Sequence, residues 1–189
     1  RDHSNLQIVW NHRWEYDKGP KYLDAFVQAL AQSTIRATLH IVGQQFRQSP
    51  PAFSRIKAML EKNNGRLMLG AFGYLDSQDA YNRCLEQSDV VLSTSLHDFQ
   101  GLSVLEAVQR GCVPLLPDTL SYPELFDECF LYSWSDDPEV CAASAVNTLE
   151  CLLESSSVFI PDLSGLEWPA LQESYQFRIE SLTSCRSDV

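Results

Sequence analysis

Short apolar runs alternate with longer amphipathic segments along most of this sequence, and no other feature restricts the possible fold as strongly. Uninterrupted apolar runs of this length indicate strands that are buried on both faces. Strands that alternate with helices indicate a parallel sheet covered by helices on both sides. We therefore predict an α/β fold, a Rossmann-like doubly wound parallel sheet of about six strands. The predicted strands are Leu6–Trp10, Ala37–Val42, Leu67–Leu69, Asp89–Ser93, Val113–Leu116 and Leu131–Tyr132.

The helices between these strands are predicted from apolar spacing and from residues that begin or end a helix. Pro20 suits the first turn of one helix, Ser77 can cap another, and Gly111 ends a third. Ligands of such sheets bind at the carboxyl ends of the strands, so the loops that follow the strands are the candidate sites. The predicted helices cover Pro20–Gln32, Pro51–Asn64, Ser77 to about Gln87, Leu102–Arg110, Pro123–Phe126, Pro138–Glu154 and Trp168–Leu182.

The length and the charge distribution restrict the partners of the chain. Its 189 residues suffice for one α/β domain with a sizeable core. Residues 1–111 carry 12 Lys and Arg against 11 Asp and Glu, whereas residues 112–189 carry 2 against 14. The acidic half would repel a nucleic-acid backbone, while the nearly neutral half can still direct a few cations at a phosphate. No apolar run approaches the length of a membrane span, so we expect no membrane partner.

The six cysteines indicate reduced thiols rather than a disulfide framework or a zinc site. None forms a C-x-x-C pair, and no histidine accompanies them at zinc-finger spacing. Scattered thiols are typical of the cytoplasm, which is the predicted location.

The loop after the first strand carries two cations, Arg13 and Lys18, close to the end of that strand. This pair suits a diphosphate, because arginine offers a planar fork and lysine a mobile point charge. Taken alone, the loop is explained as well by two solvated surface cations.

The loop after the fourth strand adds a second set of candidates. Gly101 lets the backbone approach a ligand closely, and the helix that follows directs free N–H groups and a partial positive charge at it. Asp98 precedes this glycine, and Glu106 follows inside the apolar run 102–108. A glycine before a helix is also common in ordinary turns. A glutamate in an apolar run, if buried, needs a partner, and this favours a binding role.

These two loops together resemble the retaining glycosyltransferases of the GT-B fold. The C-terminal domain of that family carries Arg-x4-Lys in its first loop and Glu-x7-Glu around a glycine-rich turn. Arg13-x4-Lys18 and Asp98-x7-Glu106 match both patterns in the same order. The resemblance covers about residues 6–130. Further matching segments are Ile41-Val42-Gly43, Gly70–Leu75, Gly111-Cys-Val-Pro114 and Tyr122-Pro123-Glu124.

The resemblance implies a role for each matching residue toward a nucleotide sugar. Arg13 and Lys18 would bind the diphosphate and act in catalysis, because negative charge grows there as the glycosidic bond breaks. Backbone N–H groups near Gly101 and Leu102 would bind it from the other side. Glu106 would accept hydrogen bonds from the ribose hydroxyls.

The remaining implied contacts concern the sugar and the end of the second strand. Asp98 would hold hydroxyls of the donor sugar, although it is one methylene shorter than the family's glutamate. His97 would line the sugar pocket, unless it is an ordinary loop histidine. Gly43, at the end of the second strand, is a further predicted substrate-binding position.

No cofactor and no metal are expected from the resemblance, because the cations and the helix N-terminus can stabilise the leaving group. No Asp-x-Asp follows a predicted strand end. The pair Asp136-Asp137 is instead interpreted as the cap of the next helix.

A narrower resemblance concerns the tRNA-queuosine mannosyltransferase family and its bacterial relatives. It rests on Trp10-Asn11-His12-Arg13-Trp14-Glu15 and on His97-Asp98-Phe99. That family uses GDP-mannose as donor and modifies queuosine in tRNA. Residues 1–189 would then be one nucleotide-sugar-binding domain with a terminal helix at about 166–185. The N-terminal acceptor domain, which would bind most of the tRNA, would be absent from the chain, and these residues alone would be inactive.

Two alternatives remain open from the sequence. One is a GT-B enzyme with another donor or acceptor, or a sugar-nucleotide epimerase that shares the fold. The other is a non-catalytic nucleotide-binding module. The presence of Arg13, Lys18 and Glu106 argues against the second alternative.

Overall fold

A computed structural model describes residues 5–62, 65–155 and 159–184. Six strands and seven α-helices alternate along these residues, with short 3-10 turns between some of them. The strands are β1 (Leu6–Trp10), β2 (Ala37–Val42), β3 (Leu67–Gly73), β4 (Val90–Leu92), β5 (Val113–Pro117) and β6 (Leu131–Tyr132). The helices are α1 (Pro20–Gln32), α2 (Ala52–Lys62), α3 (Gln78–Glu86), α4 (Leu102–Gln109), α5 (Tyr122–Leu125), α6 (Pro138–Glu154) and α7 (Trp168–Ser184).

All six strands are parallel and form one sheet in the order β3-β2-β1-β4-β5-β6. The predicted α/β fold is therefore confirmed. The chain builds outward from β1 through β2 to β3 and then returns to place β4 on the other side of β1. Strand order thus reverses between β1 and β4, and the loops after these two strands diverge to leave a crevice.

Most predicted element bounds agree with the structure, but β3 is longer than predicted. The segment 70–75 was expected to be a loop, whereas the strand continues to Gly73. A bulge in β3 explains the difference, since Leu39 pairs with Leu69 but Ile41 pairs with Phe72. The bulge releases the N–H of Ala71 from the ladder, and this N–H donates to Nδ1 of His40 at 3.1 Å. The predicted end of the second helix, residues 63–64, lies outside the described residues.

The core lies on both faces of the sheet, as expected for continuous apolar strands. On one face, α1 packs against α6 and α2. Near the end of β1, the buried Trp14 stacks on Phe53 with ring centroids 4.1 Å apart and meets the edge of Phe72 at 4.7 Å. This aromatic cluster fixes the loop after β1 against α2 and β3.

The terminal helix α7 is solvent-exposed along nearly its whole length. It contacts the 3-10 turn Ser164–Leu166. The predicted helix at about 166–185 is thus observed as Trp168–Ser184, and residue 185 lies outside the described residues. Within the described ranges, no helix combines the length and the apolar character that crossing a bilayer requires.

Candidate nucleotide-sugar site

Two adjoining cavities open at the carboxyl ends of the strands. The first has a volume of about 420 Å³ and lies between the loop after β1 and the loop after β4. The second, of about 270 Å³, lies between the loop after β1 and the loops after β2 and β3. Asn11, His12 and Arg13 line both cavities. The strand-order reversal therefore produces a continuous crevice at the edge where the sequence predicts a site.

Lys18 lies at the inner end of the first cavity and is nearly buried. Its ammonium group donates to the carbonyl oxygen of His97 at 2.7 Å and lies 3.5 Å from Oδ2 of Asp98. Asp17 is a second carboxylate, at 3.6 Å. The loop that carries Lys18 is tied to the loop after β4, because Thr94 donates to the carbonyl of Lys18 at 2.9 Å. The lysine charge is therefore fixed in position before any ligand arrives.

Arg13 lies at the outer end of the same cavity and is exposed. Its guanidinium pairs with Glu15 at 3.1 Å and with Asp17 at 3.8 Å. The side chain is 54% exposed, against 11% for Lys18. Exposed ion pairs of this kind contribute little stability, so Arg13 can exchange its carboxylates for a phosphate at small cost. The structure brings the two predicted cations to one cavity but gives them different exposure.

Asp98 shapes the turn that precedes α4. Its Oδ1 accepts from the backbone N–H of Gly101 at 3.0 Å, and its Oδ2 lies 3.4 Å from the hydroxyl of the buried Tyr122. Gly101 adopts a left-handed conformation with φ of 63°, and a Cβ there would lie 2.9 Å from the Tyr122 ring. The carboxylate is thus engaged by Lys18, Gly101 and Tyr122. It retains some accepting capacity, because a carboxylate has about four lone-pair sites.

The N-terminus of α4 points into the first cavity. Leu102 and Ser103, in its first turn, line the cavity. The N-cap residue of α4 is Gly101, which has no side chain, and Asp98 accepts from the N–H of Gly101 but from no N–H of the following turn. The backbone N–H groups of the first turn, with the partial positive charge of the helix, are thus directed at the space beside Lys18.

Glu106 lies on the exposed face of α4. The apolar run around it favoured a buried carboxylate, whereas Glu106 is exposed on α4. The buried face of this short helix carries Val104, Ala107 and Val108 instead. Glu106 nevertheless has a partner, since the hydroxyl of Tyr81 donates to its Oε2 at 3.0 Å. Because Tyr81 lines the second cavity, Glu106 lies beside that cavity rather than in the core.

His12 forms part of the floor shared by the two cavities. It is buried, and its Nδ1 lies 3.0 Å from the hydroxyl oxygen of Ser103. Burial and, to a smaller extent, the nearby charge of Lys18 lower the pKa of His12 to about 4, although Asp98 and Asp17 act in the opposite direction. The imidazole is therefore neutral at physiological pH and adds no charge to the crevice.

The two remaining predicted positions lie at the edges of the crevice. His97 is exposed and lines the first cavity. Gly43 lines the second cavity with φ of 151°, and a Cβ at this position would overlap the carbonyl oxygen of His12. Only glycine allows β2 to approach the loop after β1 this closely.

The arrangement contains no evident metal centre in the part of the chain that is described, where no three His, Cys, Asp or Glu side chains converge. Asp137 caps α6, as predicted, by accepting from the N–H of Glu139 at 2.9 Å. Its carboxylate is thereby accounted for as a structural group.

A family model described as "Glycosyl transferases group 1" matches residues 2–145, which include both loops of the crevice. The chain belongs to this family. The match covers all six strands and the first half of α6, so family membership rests on the whole sheet and not on a single motif.

The chain is also similar to the tRNA-queuosine alpha-mannosyltransferase of Drosophila melanogaster. The two sequences are 34% identical over 135 residues, which are 71% of this chain and 34% of that protein. The chain therefore spans about a third of the length of this relative.

Solved structures of similar fold agree with the family assignment. The catalytic domain of cholesterol-alpha-glucosyltransferase from Helicobacter pylori has a TM-score of 0.57 at 19% identity, over 79% of this chain and 89% of that one. An alpha,alpha-trehalose 6-phosphate synthase from Burkholderia multivorans has a TM-score of 0.66 at 16% identity, over 97% of this chain and 44% of that one. At these identities, the likeness shows a shared GT-B-type fold.

Several residues of the crevice were not singled out from the sequence. Asn11, His12, Tyr81, Ser103 and Tyr122 all contact a predicted site residue or line a cavity. Their partners lie on other elements, far away along the chain. Asn11 and His12 lie in one of the motifs on which the resemblance rests, and Tyr122 lies in another matching segment. Tyr81 carries no local signal that separates it from ordinary helix residues.

Proposed function

We propose that this chain is the donor-binding domain of a retaining glycosyltransferase and that the crevice between β1 and β4 binds the diphosphate of a nucleotide sugar. The observation that carries the proposal is the nearly buried Lys18, held by the His97 carbonyl at the cavity that the first turn of α4 also lines. A buried lysine at a strand-order reversal is costly without an anionic partner. In the unliganded chain Asp98 and Asp17 balance this charge, and a diphosphate would compete with the partly exposed Asp17 for it.

The proposed mechanism is stabilisation of the leaving group. When the bond between the sugar and the diphosphate breaks, negative charge develops on the phosphate oxygens. Lys18 and the first-turn N–H groups of α4 already face this space, so no reorganisation is needed at that point. Arg13 would leave Glu15 and Asp17 and close over the outer phosphate. These groups can supply the charge that a metal ion supplies elsewhere, and we propose that no metal or other cofactor is required.

The second cavity fits the nucleoside part of the donor. Gly43 and the loop after β3, which contributes Tyr74 and Leu75, line a space suited to a base. Glu106 lies beside this space through its bond with Tyr81. A carboxylate that accepts from both hydroxyls of a ribose would fix the nucleoside between base and diphosphate.

The sugar would lie at the opposite end, near Asp98 and His97. Since Asp98 already accepts from Gly101 and lies beside Tyr122, we propose that it contacts the sugar through its remaining lone pairs. Its shorter side chain holds the carboxylate closer to the backbone than a glutamate would. We therefore expect Asp98 to determine which donor sugars the site accepts.

The finer proposal is transfer of mannose from GDP-mannose to queuosine in tRNA, in the cytoplasm. Its support is the 34% identity to the Drosophila enzyme, together with the motifs on both loops. The acidic residues 112–189 argue that the tRNA is held mainly by a further domain. Because holding the acceptor in line contributes roughly 7–11 kcal/mol of barrier reduction, these 189 residues should not transfer sugar alone.

The test is calorimetry of this chain with GDP, UDP and ADP in the presence of a chelator. We expect binding of a nucleoside diphosphate without metal, with GDP preferred, and loss of that binding in Lys18→Met. Lys21→Met, an exposed lysine at the start of α1, is the matched control and should bind as the wild type does. Absence of binding at millimolar nucleotide, or binding only with Mg²⁺, would show that the site is wrong. Preference for UDP or ADP would retain the domain assignment and remove GDP-mannose.

A further inference from the structure

Tyr81 on α3 connects Glu106 to the loop after β1. Its hydroxyl oxygen lies 3.0 Å from Oε2 of Glu106 and 3.0 Å from Nδ2 of Asn11. Nδ2 of Asn11 also lies 2.7 Å from the carbonyl oxygen of Ser103. These four residues therefore link the loop after β1, α3 and α4 beside the second cavity.

The direction of each hydrogen bond in this set follows from the Ser103 carbonyl. A carbonyl oxygen only accepts, so the amide atom of Asn11 that faces it must be the nitrogen. The same nitrogen donates its second proton to the hydroxyl oxygen of Tyr81. The single proton of Tyr81 is then left for Glu106. Burial raises the pKa of Tyr81, so the phenol keeps this proton at neutral pH.

This bond restricts a side chain that would otherwise be free. Glu106 is exposed on a helix, where a glutamate samples several rotamers and loses entropy when a ligand fixes it. Tyr81 selects one orientation and occupies one lone pair of Oε2. Oε1 and the second lone pair of Oε2 remain able to accept from a ligand.

We propose that Tyr81 is a positioning residue that holds the Glu106 carboxylate for the vicinal hydroxyls of a ribose, so that the site selects ribonucleoside over deoxyribonucleoside diphosphates. The proposal rests on the proposed function, in which Glu106 is the ribose ligand. It assigns to α3 a part in donor selection although Tyr81 itself need not touch the donor.

The experiment compares a nucleoside diphosphate with its 2′,3′-dideoxy analogue by calorimetry on this chain, using whichever of GDP, UDP and ADP the wild type binds best. The wild type should prefer the ribonucleotide by about tenfold or more, as expected for hydrogen bonds to a charged group. Tyr81→Phe should reduce this preference to about threefold or less by weakening only ribonucleotide binding. Adding Glu106→Gln to Tyr81→Phe should lower the preference less than Glu106→Gln does in the wild type.

Tyr22→Phe is the matched control. Its hydroxyl donates to the carbonyl oxygen of Asp136 at 3.1 Å, away from the crevice. This variant loses a comparable bond and should keep the wild-type preference. If Tyr81→Phe weakens both nucleotides equally, or keeps the preference, Tyr81 is only structural and the inference fails while the proposed function stands. If the wild type binds nucleotide without any preference for ribose, Glu106 is not the ribose ligand and the inference also fails. If no nucleotide binds, the proposed function itself fails.

Discussion

Each end of the first cavity carries one cation with carboxylate partners, but the two cations differ in how deeply they are buried. At the inner end, Lys18 is nearly buried and its contacts with His97 and Asp98 are part of the fold. At the outer end, Arg13 is exposed and its contacts with Glu15 and Asp17 can exchange with solvent. We expect a cation held by buried contacts to contribute both to stability and to catalysis. A cation in exposed ion pairs should contribute only when a ligand is bound. The two ends should therefore respond differently to substitution.

The largest effect is expected at Gly19, which joins Lys18 to α1. Its φ is 65°, and a Cβ would overlap the carbonyl oxygen of Thr94. Gly19→Ala combines backbone strain with that overlap and should lower the free energy of unfolding by about 4 kcal/mol. Urea denaturation measures it. Gly65→Ala is the control, because φ is 81° there but a Cβ would meet no atom, and it should cost about 1 kcal/mol. Equal losses would mean that the inner end is not tightly packed.

The pH dependence of stability tests whether water reaches His12 on the floor of the crevice. His12 has its pKa lowered by burial to about 4, whereas the unfolded chain binds this proton near pH 6.5. Stability from His12 should be complete above pH 6.5 and decline as the pH falls toward 4, by roughly 3 kcal/mol in all. The measurement is the difference in unfolding free energy between wild type and His12→Gln across this range. Parallel curves would show that water reaches the imidazole.

The third prediction concerns the inner cation. Lys18→Met keeps the apolar stem but removes the donor to His97 and leaves Asp98 without its counter-charge. We expect the free energy of unfolding to fall by about 2 kcal/mol. In an enzyme that also holds the acceptor, kcat should fall about a hundredfold. Thermal denaturation and steady-state kinetics measure the two effects. An unchanged free energy of unfolding would show that the contacts of Lys18 stabilise the fold no more than those of Arg13 do.

The smallest stability effect is expected for the outer cation. Arg13→Met should change the free energy of unfolding by less than about 0.5 kcal/mol, because its ion pairs are exposed. Affinity for the nucleoside diphosphate should nevertheless fall about tenfold, since a charge-assisted bond to phosphate is lost. A loss of stability as large as that of Lys18→Met would remove the distinction between the two ends.

Elements with a repeated apolar pattern and a clear beginning or end could be predicted from the sequence. α1 and α6 begin at prolines and have the predicted bounds, as do β1 and β2. β3 could not be predicted in full, because Gly70 and Gly73 are typical of a loop. The continuation of this strand depends on His40, a residue of the neighbouring strand, which accepts the N–H that the bulge releases.

The positions of the candidate site residues could be predicted from the sequence, but the burial and the partners of their side chains could not. The spacing of Arg13, Lys18, Asp98 and Glu106 placed them at one sheet edge, where the structure also has them. Which cation is buried, and which carboxylate is exposed, depends on side chains far away in sequence. Tyr81 determines the surroundings of Glu106, and no local pattern marks a tyrosine for that role.

The aromatic cluster after β1 gives the molecule an optical reporter of its own. Trp14 directly follows Arg13 and is stacked in the dry cluster with Phe53 and Phe72. Trp10 is also buried, and its ring centroid lies 5.6 Å from that of Phe53. An indole in such surroundings emits at short wavelength, and its intensity depends on the neighbouring rings and backbone. A nucleotide that draws Arg13 away from Glu15 and Asp17 would change the charges close to Trp14. Ligand titrations can therefore be followed through intrinsic fluorescence, without a dye attached to the protein.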